Sequence, residues 1–338
     1  MEGKLKGDIA SILPEMGGKD VATRSCSGVI LNAIAKEYPE IIGGSADLTP
    51  SNNTALKCTT DFTATTPEGR YLRFGIREHA MVAICNGLYA YGGFLPFCAT
   101  FFVFIGYCMG AVRISALSHS KVLFIMTHDS IGVGEDGPTH QPIEQLWQIR
   151  NMPDITMIRP ADGREVAGAY AVYMNGHGPC VLALSRQNVP YLEGSCPEKV
   201  AKGAYTLREV DGQPDLILIG TGSEVSLCMK AAEAMEGKKV RVISMPSMEL
   251  FEQQPMEYKK ALLSENVPIL GVEAGATHGW EKYTHYQIGM TTFGTSAPGS
   301  KVYEHFGITV ENIIEKSKKL MEYYSNRAIP SKTEEFDF

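Results

Sequence analysis

Short, uninterrupted apolar runs recur along the chain, each followed by a segment of helical period or by a loop. The clearest in the first half are EIIGGSADL at 40–48, VLFIMTHD at 122–129, ITMIRPAD at 155–162 and VLALSRQN at 181–188. Runs without polar alternation belong to strands covered on both faces, and interleaved with helical pattern they predict a parallel sheet flanked by helices. After Leu192 the pattern breaks into EGSCPEKVAKGAY, polar and punctuated by Gly and Pro. A second series then opens with DLILIGTGSEVSLCMKAAEAM, VRVISM and VPILGVEAG. The expected fold class is α/β: two consecutive three-layer α/β domains with mostly parallel sheets, over 15–192 and 201–338, with a linker at 193–200.

One apolar stretch competes with this scheme. Phe94 to Val112 carries no charge over nineteen residues, enough for a membrane helix by length alone. Pro96 and the glycines within it favour two elements instead: GFLPFCAT as a short buried strand with its loop, then FFVFIGYCMGAVRISALS as a helix with a polar far end.

Composition narrows the function classes. With 338 residues, 44% of them hydrophobic, there is enough apolar side chain for two cores. The formal charge of -7 without any block of like charge argues against a nucleic-acid surface, so any anion must meet a local basic cluster. Eight cysteines occur without a CxxC pair, several of them in apolar company, which points to a reducing compartment and no zinc site. The opening MEGKLKGDIASILPEM has neither a signal-peptide core nor a transit-peptide pattern, so the expected location is the cytoplasm.

In an open parallel sheet, ligands sit where strands end at their carboxyl side. The segment THDSIGVGEDGPTH closes an apolar strand with His128, then brings Asp136 and His140 on a loop that Gly132, Gly134 and Gly137 allow to fold back. A capping loop with solvated charges would also fit. Arg186 closes VLALS, and Asp47 with Ser51 closes EIIGGSA, so separate strands send an Arg, a Ser, acids and histidines toward one edge. Such a set suits a phosphorylated, hydroxyl-rich ligand, although a lone Arg at a strand end is commonly a surface ion pair. Glu78 falls near the start of an apolar helix, either as a dipole partner or as a working acid. Phe101, Phe104 and Tyr107 recur every third residue, which alone reads as a core stripe packing a helix onto the sheet. GTGSEVSLCM lacks the third glycine of a dinucleotide fingerprint, and a plain strand-to-helix turn explains it.

Five segments in one order, GGSADLTPSN, FGIREHAM, THDSIGVGEDGPTHQP, RPADGREV and LSRQN, resemble transketolase, from about Val21 to the last helix. The resemblance implies a thiamine-diphosphate-binding fold, here the pyrimidine-binding domain, followed by a transketolase C-terminal-like domain. It implies thiamine-diphosphate-dependent transfer of a two-carbon ketol unit from a ketose phosphate to an aldose phosphate in the pentose phosphate pathway, by a homodimer. It gives Glu78 the role of the acid that hydrogen-bonds the aminopyrimidine ring nitrogen, and promotes the tautomer that takes the thiazolium C2 proton. Phe101, Phe104 and Tyr107 match the aromatic pocket for that ring, and Asp47 an acid near the cofactor at the subunit interface. Arg24, Ser51, His128 and Arg186 match the grip on the sugar phosphate, Asp136 the reader of a substrate hydroxyl, and His140 a residue beside the reacting centre.

The sequence departs from the family pattern in one respect. The diphosphate-binding GDG...N segment is absent, and EDG, ADG and VDG at Glu135, Ala161 and Val210 do not replace it, lacking the first glycine. The divalent metal, magnesium or calcium, is therefore expected on a domain outside this chain, which would be a fragment or one subunit of a split enzyme. Two alternatives remain: a dihydroxyacetone synthase-like transfer to formaldehyde, and a non-catalytic dimerisation module.

Overall fold

The computed structural model describes residues 9–333. The MEGKLKG opening, read above for targeting, lies outside the described residues, as do the last residues of the second expected domain. The strands are β1 (Val21–Ala22), β2 (Ile41–Ser45), β3 (Tyr71–Arg73), β4 (Leu95–Phe101), β5 (Leu123–Thr127), β6 (Thr156–Ile158), β7 (Cys180–Leu184), β8 (Asn188–Val189), β9 (Tyr205–Arg208), β10 (Leu216–Gly220), β11 (Val240–Ser244), β12 (Ile269–Ala276) and β13 (Tyr286–Met290). The helices that matter below are α1 (Thr23–Glu37), α2 (Thr49–Asn52), α3 (Glu78–Tyr91), α4 (Met109–Leu117), α5 (Gln145–Arg150), α6 (Gly163–Asn175) and α7 (Val225–Ala234).

The first sheet has six strands in the order β3-β2-β4-β5-β7-β6, every neighbouring pair parallel. The second has five, β13-β12-β10-β11-β9, parallel except at β9. The α/β class with mostly parallel sheets is thus the architecture, and the apolar runs form its strands because helices cover both faces. The β2, β5, β7, β10 and β11 runs are buried at every position. Residues 193–200 are no free tether: Val200 is buried in the first domain's core against α6.

The apolar stretch at 94–112 does split, but its second half differs from the expected single helix. Phe101 still belongs to β4, Phe102–Cys108 is a 3-10 helix, and α4 starts only at Met109. A 3-10 turn holds three residues, so residues three apart stack directly. The buried stripe is Phe102, Ile105 and Cys108, while Phe104 is half-buried and Tyr107 is 70% exposed. The aromatic stripe at Phe101, Phe104 and Tyr107 is therefore core only at Phe101, which is buried at the end of β4, and leaves the core at Phe104 and Tyr107. Among the described residues no helix is long and apolar enough to cross a membrane.

The two domains meet across buried polar contacts. The Glu165 carboxylate, at the start of α6, accepts hydrogen bonds from the Ala161 amide at 2.7 Å, the Tyr205 hydroxyl at 2.7 Å and the Ser244 hydroxyl at 2.6 Å. Burial, reinforced by Asp162, nevertheless pushes its acid up to about 7. The folded chain then holds this proton to about pH 7, while the unfolded chain loses it near the ordinary value of 4.5. Its contribution to stability therefore falls as pH rises through that window and is level above it. Glu165→Gln is expected to gain on wild type by roughly 2–3 kcal/mol between about pH 5 and about pH 8, read from urea unfolding at both. An offset that is the same at both pH values would contradict this.

Candidate active site

Register brings the strand ends level: Phe101 pairs with Thr127, and Thr127 with Leu184. The loops after β2, β4, β5 and β7 therefore emerge side by side. They carry, in turn, Asp47 and Ser51; Phe104 and Tyr107; His128, Asp136 and His140; and Arg186. The chain runs from β2 to β3 on one side and to β4 on the other, so the cluster lies beside the switch point where open parallel sheets take ligands.

Arg24 reaches this edge by a local weld. The ribbon β1–β8 pairs Val21 with Val189 and Ala22 with Asn188. Thr23 and Ser185 then exchange hydrogen bonds, Ser185 N to Thr23 Oγ1 at 2.7 Å and Thr23 N to Ser185 Oγ at 3.0 Å. Arg24 lies inside the first turn of α1, and its Nη1 donates to the Ser51 carbonyl at 2.7 Å. Burial and the neighbouring Arg186 charge lower its pKa, while its buried Nε has no hydrogen-bond partner. Two guanidiniums held close without an intervening carboxylate form a ready anion site.

His128 is 3% exposed and sits at φ +62°, a left-handed conformation unusual for a side chain of this size. Its ring stacks on Phe101 with centroids 3.6 Å apart. A polar chain orients its ring: Ser45 Oγ donates to Asn52 Oδ1, Asn52 Nδ2 donates to Thr127 Oγ1 at 2.7 Å, and Thr127 Oγ1 lies 2.8 Å from His128 Nδ1. A neutral ring accepting at Nδ1 presents Nε2–H as a donor. Burial, then Arg24, Arg186 and His140, lower the pKa to about 3, so the ring is neutral near pH 7.

His140 is half-buried, its ring edge-on to Phe104 at 5.3 Å and to Phe101 at 6.0 Å, with Nδ1 held 2.8 Å from Thr139 Oγ1. Phe101 and Phe104 stack at 5.8 Å, and the Tyr107 ring lies tilted against Phe104 at 5.9 Å, so the stripe forms a wall. Glu78 is the first residue of α3, where the helix dipole favours a carboxylate. With Ile76, Arg77, His79, Ala80, Phe104 and Tyr107 it lines an apolar pocket of about 690 Å³. Asp136 is exposed at the end of its short helical turn, and Asp47 is exposed at φ +60°. All eleven expected site residues thus lie on segments that follow the strands of the first sheet or, for Arg24, are welded to them.

The residues that hold this arrangement, Thr23, Ser185, Ser45, Asn52 and Thr127, were not singled out from the sequence. Asn52 lies within GGSADLTPSN, but its bridge between the loops after β2 and β5 depends on strand adjacency that spacing along the chain does not reveal. Among the described residues no group of three or more His, Cys, Asp or Glu is placed to hold a metal ion.

The transketolase pyrimidine-binding domain family matches residues 19–191, and the transketolase-like C-terminal domain family residues 203–309. The chain is 53% identical over 315 residues to a chloroplastic transketolase of Zea mays, covering 90% of this chain and 46% of the relative. A transketolase mutant of Pichia stipitis in complex with xylulose 5-phosphate superposes with a TM-score of 0.96 at 45% identity, over 99% of this chain and 51% of that one. A split-gene transketolase, an inactive β4 tetramer, shares the fold at a TM-score of 0.73 and 24% identity, over 89% of this chain and 99% of its own. The chain spans about half the length of the curated relatives it matches. These matches, over a fold with the strand-end cluster described above, establish that the chain belongs to the transketolase family, whose pyrimidine-binding and C-terminal domains it comprises.

Proposed function

We propose that this chain is the aminopyrimidine- and substrate-binding half of a transketolase, transferring a two-carbon ketol unit from a ketose phosphate to an aldose phosphate in pentose phosphate metabolism. The observation that carries this reading is the meeting, at one sheet edge, of a carboxylate beside an apolar aromatic pocket with an anion cradle of half-buried Arg24, buried His128 and exposed Arg186.

The pocket fits half of thiamine diphosphate. An aminopyrimidine is a flat ring with polar nitrogens, and the Phe101, Phe104 and Tyr107 wall with the Glu78 carboxyl offers a face for stacking and a partner for a ring nitrogen. When bound, the cofactor supplies an acidic thiazolium carbon able to take up the ketol unit. Glu78 holds or moves the proton at the ring nitrogen, Asp47 borders the cofactor, and His140 sits beside the reacting carbons. Asp136 accepts from a substrate hydroxyl, and Arg24, Ser51, His128 and Arg186 take the phosphate. The sequence has no GDG...N segment, so the diphosphate and its magnesium or calcium ion are assigned to residues outside these 338.

The pocket also opens onto an apolar face. Ile76 at 81% exposure and Tyr107 at 70% line it, and Ile84, Tyr91, Ile114 and Leu117 continue it across α3 and α4. A patch of this kind, continuous with a half-built pocket, suits a second polypeptide that completes the site, in a homodimer as in the family. All eight cysteines are unpaired and six are buried, which suits a reducing compartment such as the cytoplasm.

The phosphate cradle favours sugar phosphates over formaldehyde as acceptors. In the completed enzyme, kcat/KM for ribose 5-phosphate is expected to exceed that for formaldehyde. A preference for formaldehyde would replace this reading with the dihydroxyacetone synthase one.

A further inference from the structure

The second domain supplies none of the side chains assigned above, yet its own ligand position is filled. In that sheet the chain passes from β10 to β11 on one side and to β12 on the other, so the switch point lies at the carboxyl ends of β10 and β12. The occupant is Arg159, the residue after β6 of the first domain, whose side chain is fully buried. Its Nη1 donates to the Thr221 carbonyl at 3.0 Å, to Thr221 Oγ1 at 2.9 Å and to the Glu224 carboxylate. Its backbone is held as well, its amide by the Pro246 carbonyl at 2.8 Å and its carbonyl by the Gly222 amide at 3.1 Å. Gly222, at φ +52°, leaves the room: a Cβ there would stand 2.7 Å from the Arg159 guanidinium carbon. The GTGSEV loop cradles an internal cation, not a phosphate.

The remaining edge of that guanidinium points back. Arg159 Nε donates to Asp129 Oδ2 at 2.8 Å, and Asp129 follows His128, the residue in the strained left-handed conformation. The next residue is tied too: the Tyr303 hydroxyl donates to Glu224 Oε1 at 2.7 Å and lies 3.3 Å from Ser130 Oγ. At the far end of the loop, Gln141 Nε2 donates to the Thr295 carbonyl at 2.9 Å. A strained backbone persists only where its surroundings over-determine it. Here that determination comes from the second domain.

We propose that Arg159, held by Glu224, which Tyr303 in turn ties down, is a positioning residue: through Asp129 it fixes His128 in the phosphate cradle, so that the second domain sets the substrate-binding geometry without touching substrate. This rests on the reading that Arg24, His128 and Arg186 bind phosphate. A guanidinium suits the task because it donates at once to two carboxylates and a carbonyl, which an ammonium cannot reproduce with the same reach.

The test uses the whole chain, histidine-labelled for NMR, with inorganic phosphate as probe. The Phe101 stack should displace the His128 ring signals upfield, and phosphate should move them. The two indole N–H signals report domain docking, because Trp147 bonds the Ala276 carbonyl across the interface and Trp280 bonds Glu273, which pairs with Arg150 of the first domain. In Arg159→Met the upfield displacement should be lost and phosphate affinity should fall about tenfold, with both indole signals in place. Arg159→Lys, which keeps the charge, should recover part of both. Tyr303→Phe, which removes one hydroxyl and keeps the shape, should weaken phosphate binding about two- to fivefold and decides the matter if Arg159→Met does not fold. The proposal is overturned if folded Arg159→Met keeps the wild-type His128 signals and affinity, or if its indole signals move together with His128, which would make Arg159 domain glue only. It is also overturned if Arg159→Met does not fold and Tyr303→Phe binds phosphate as wild type does. If wild type itself shows no phosphate response, the phosphate reading fails, while the ring displacement in the variants still reports whether Arg159 positions His128.

Discussion

Glu78→Gln, in the enzyme completed by a diphosphate-binding domain, is expected to lower ketol transfer by about a hundredfold to ten-thousandfold with the fold intact. The amide keeps the volume and the hydrogen-bonding reach of the acid but cannot hold or release a proton at the pyrimidine nitrogen. The site favours such a group: the side chain opens α3, where the dipole supports a carboxylate, and faces the pocket bordered by Phe104 and Tyr107. The thermal midpoint should barely move, because Glu78 is only half-buried. The decisive readout is hydrogen exchange at C2 of the bound cofactor. Exchange at the wild-type rate in the variant would remove Glu78 from proton transfer and leave it a dipole partner.

Arg186→Ala is expected to lower kcat/KM for phosphorylated sugars about thirtyfold to a thousandfold, on the order of 2–4 kcal/mol, mostly through KM. Two- or three-carbon unphosphorylated donors should change far less. Arg186 and Arg24 converge through the Thr23–Ser185 weld, and burial and mutual repulsion already lower the Arg24 pKa. A phosphate dianion relieves that repulsion, so removing one guanidinium costs both its own hydrogen bonds and part of the other's gain. Equal losses on both substrate types would make Arg186 structural or a partner of the cofactor.

The strands were legible in the sequence because burial on both faces writes a continuous apolar run, and EIIGGSADL, VLFIMTHD and VLALSRQN each became a strand where the pattern put one. β3 was not legible: three residues, with Arg73 exposed, leave no run to find. The helix expected at 101–118 failed at its start because a period of three fits a 3-10 turn as well as one face of an α-helix. The same ambiguity made the Phe101, Phe104 and Tyr107 stripe read as core. Strand ends placed His128, Arg186 and Asp47 at one edge, while their roles came only from the resemblance to transketolase. What no local pattern reveals is contact across strands and domains: Asn52 reaching Thr127, or Arg159 reaching Asp129 and Glu224.

The central claim is that this chain is one half of a transketolase site, completed at the pocket under Glu78. The direct measurement is ketol transfer from xylulose 5-phosphate to ribose 5-phosphate, with thiamine diphosphate and magnesium, by the purified chain alone and after mixing with the diphosphate-binding portion of a transketolase. The account predicts no turnover by the chain alone and turnover that appears on mixing, saturating as the second portion is added. Turnover by the chain alone, or none with a folded and bound second portion, would contradict it.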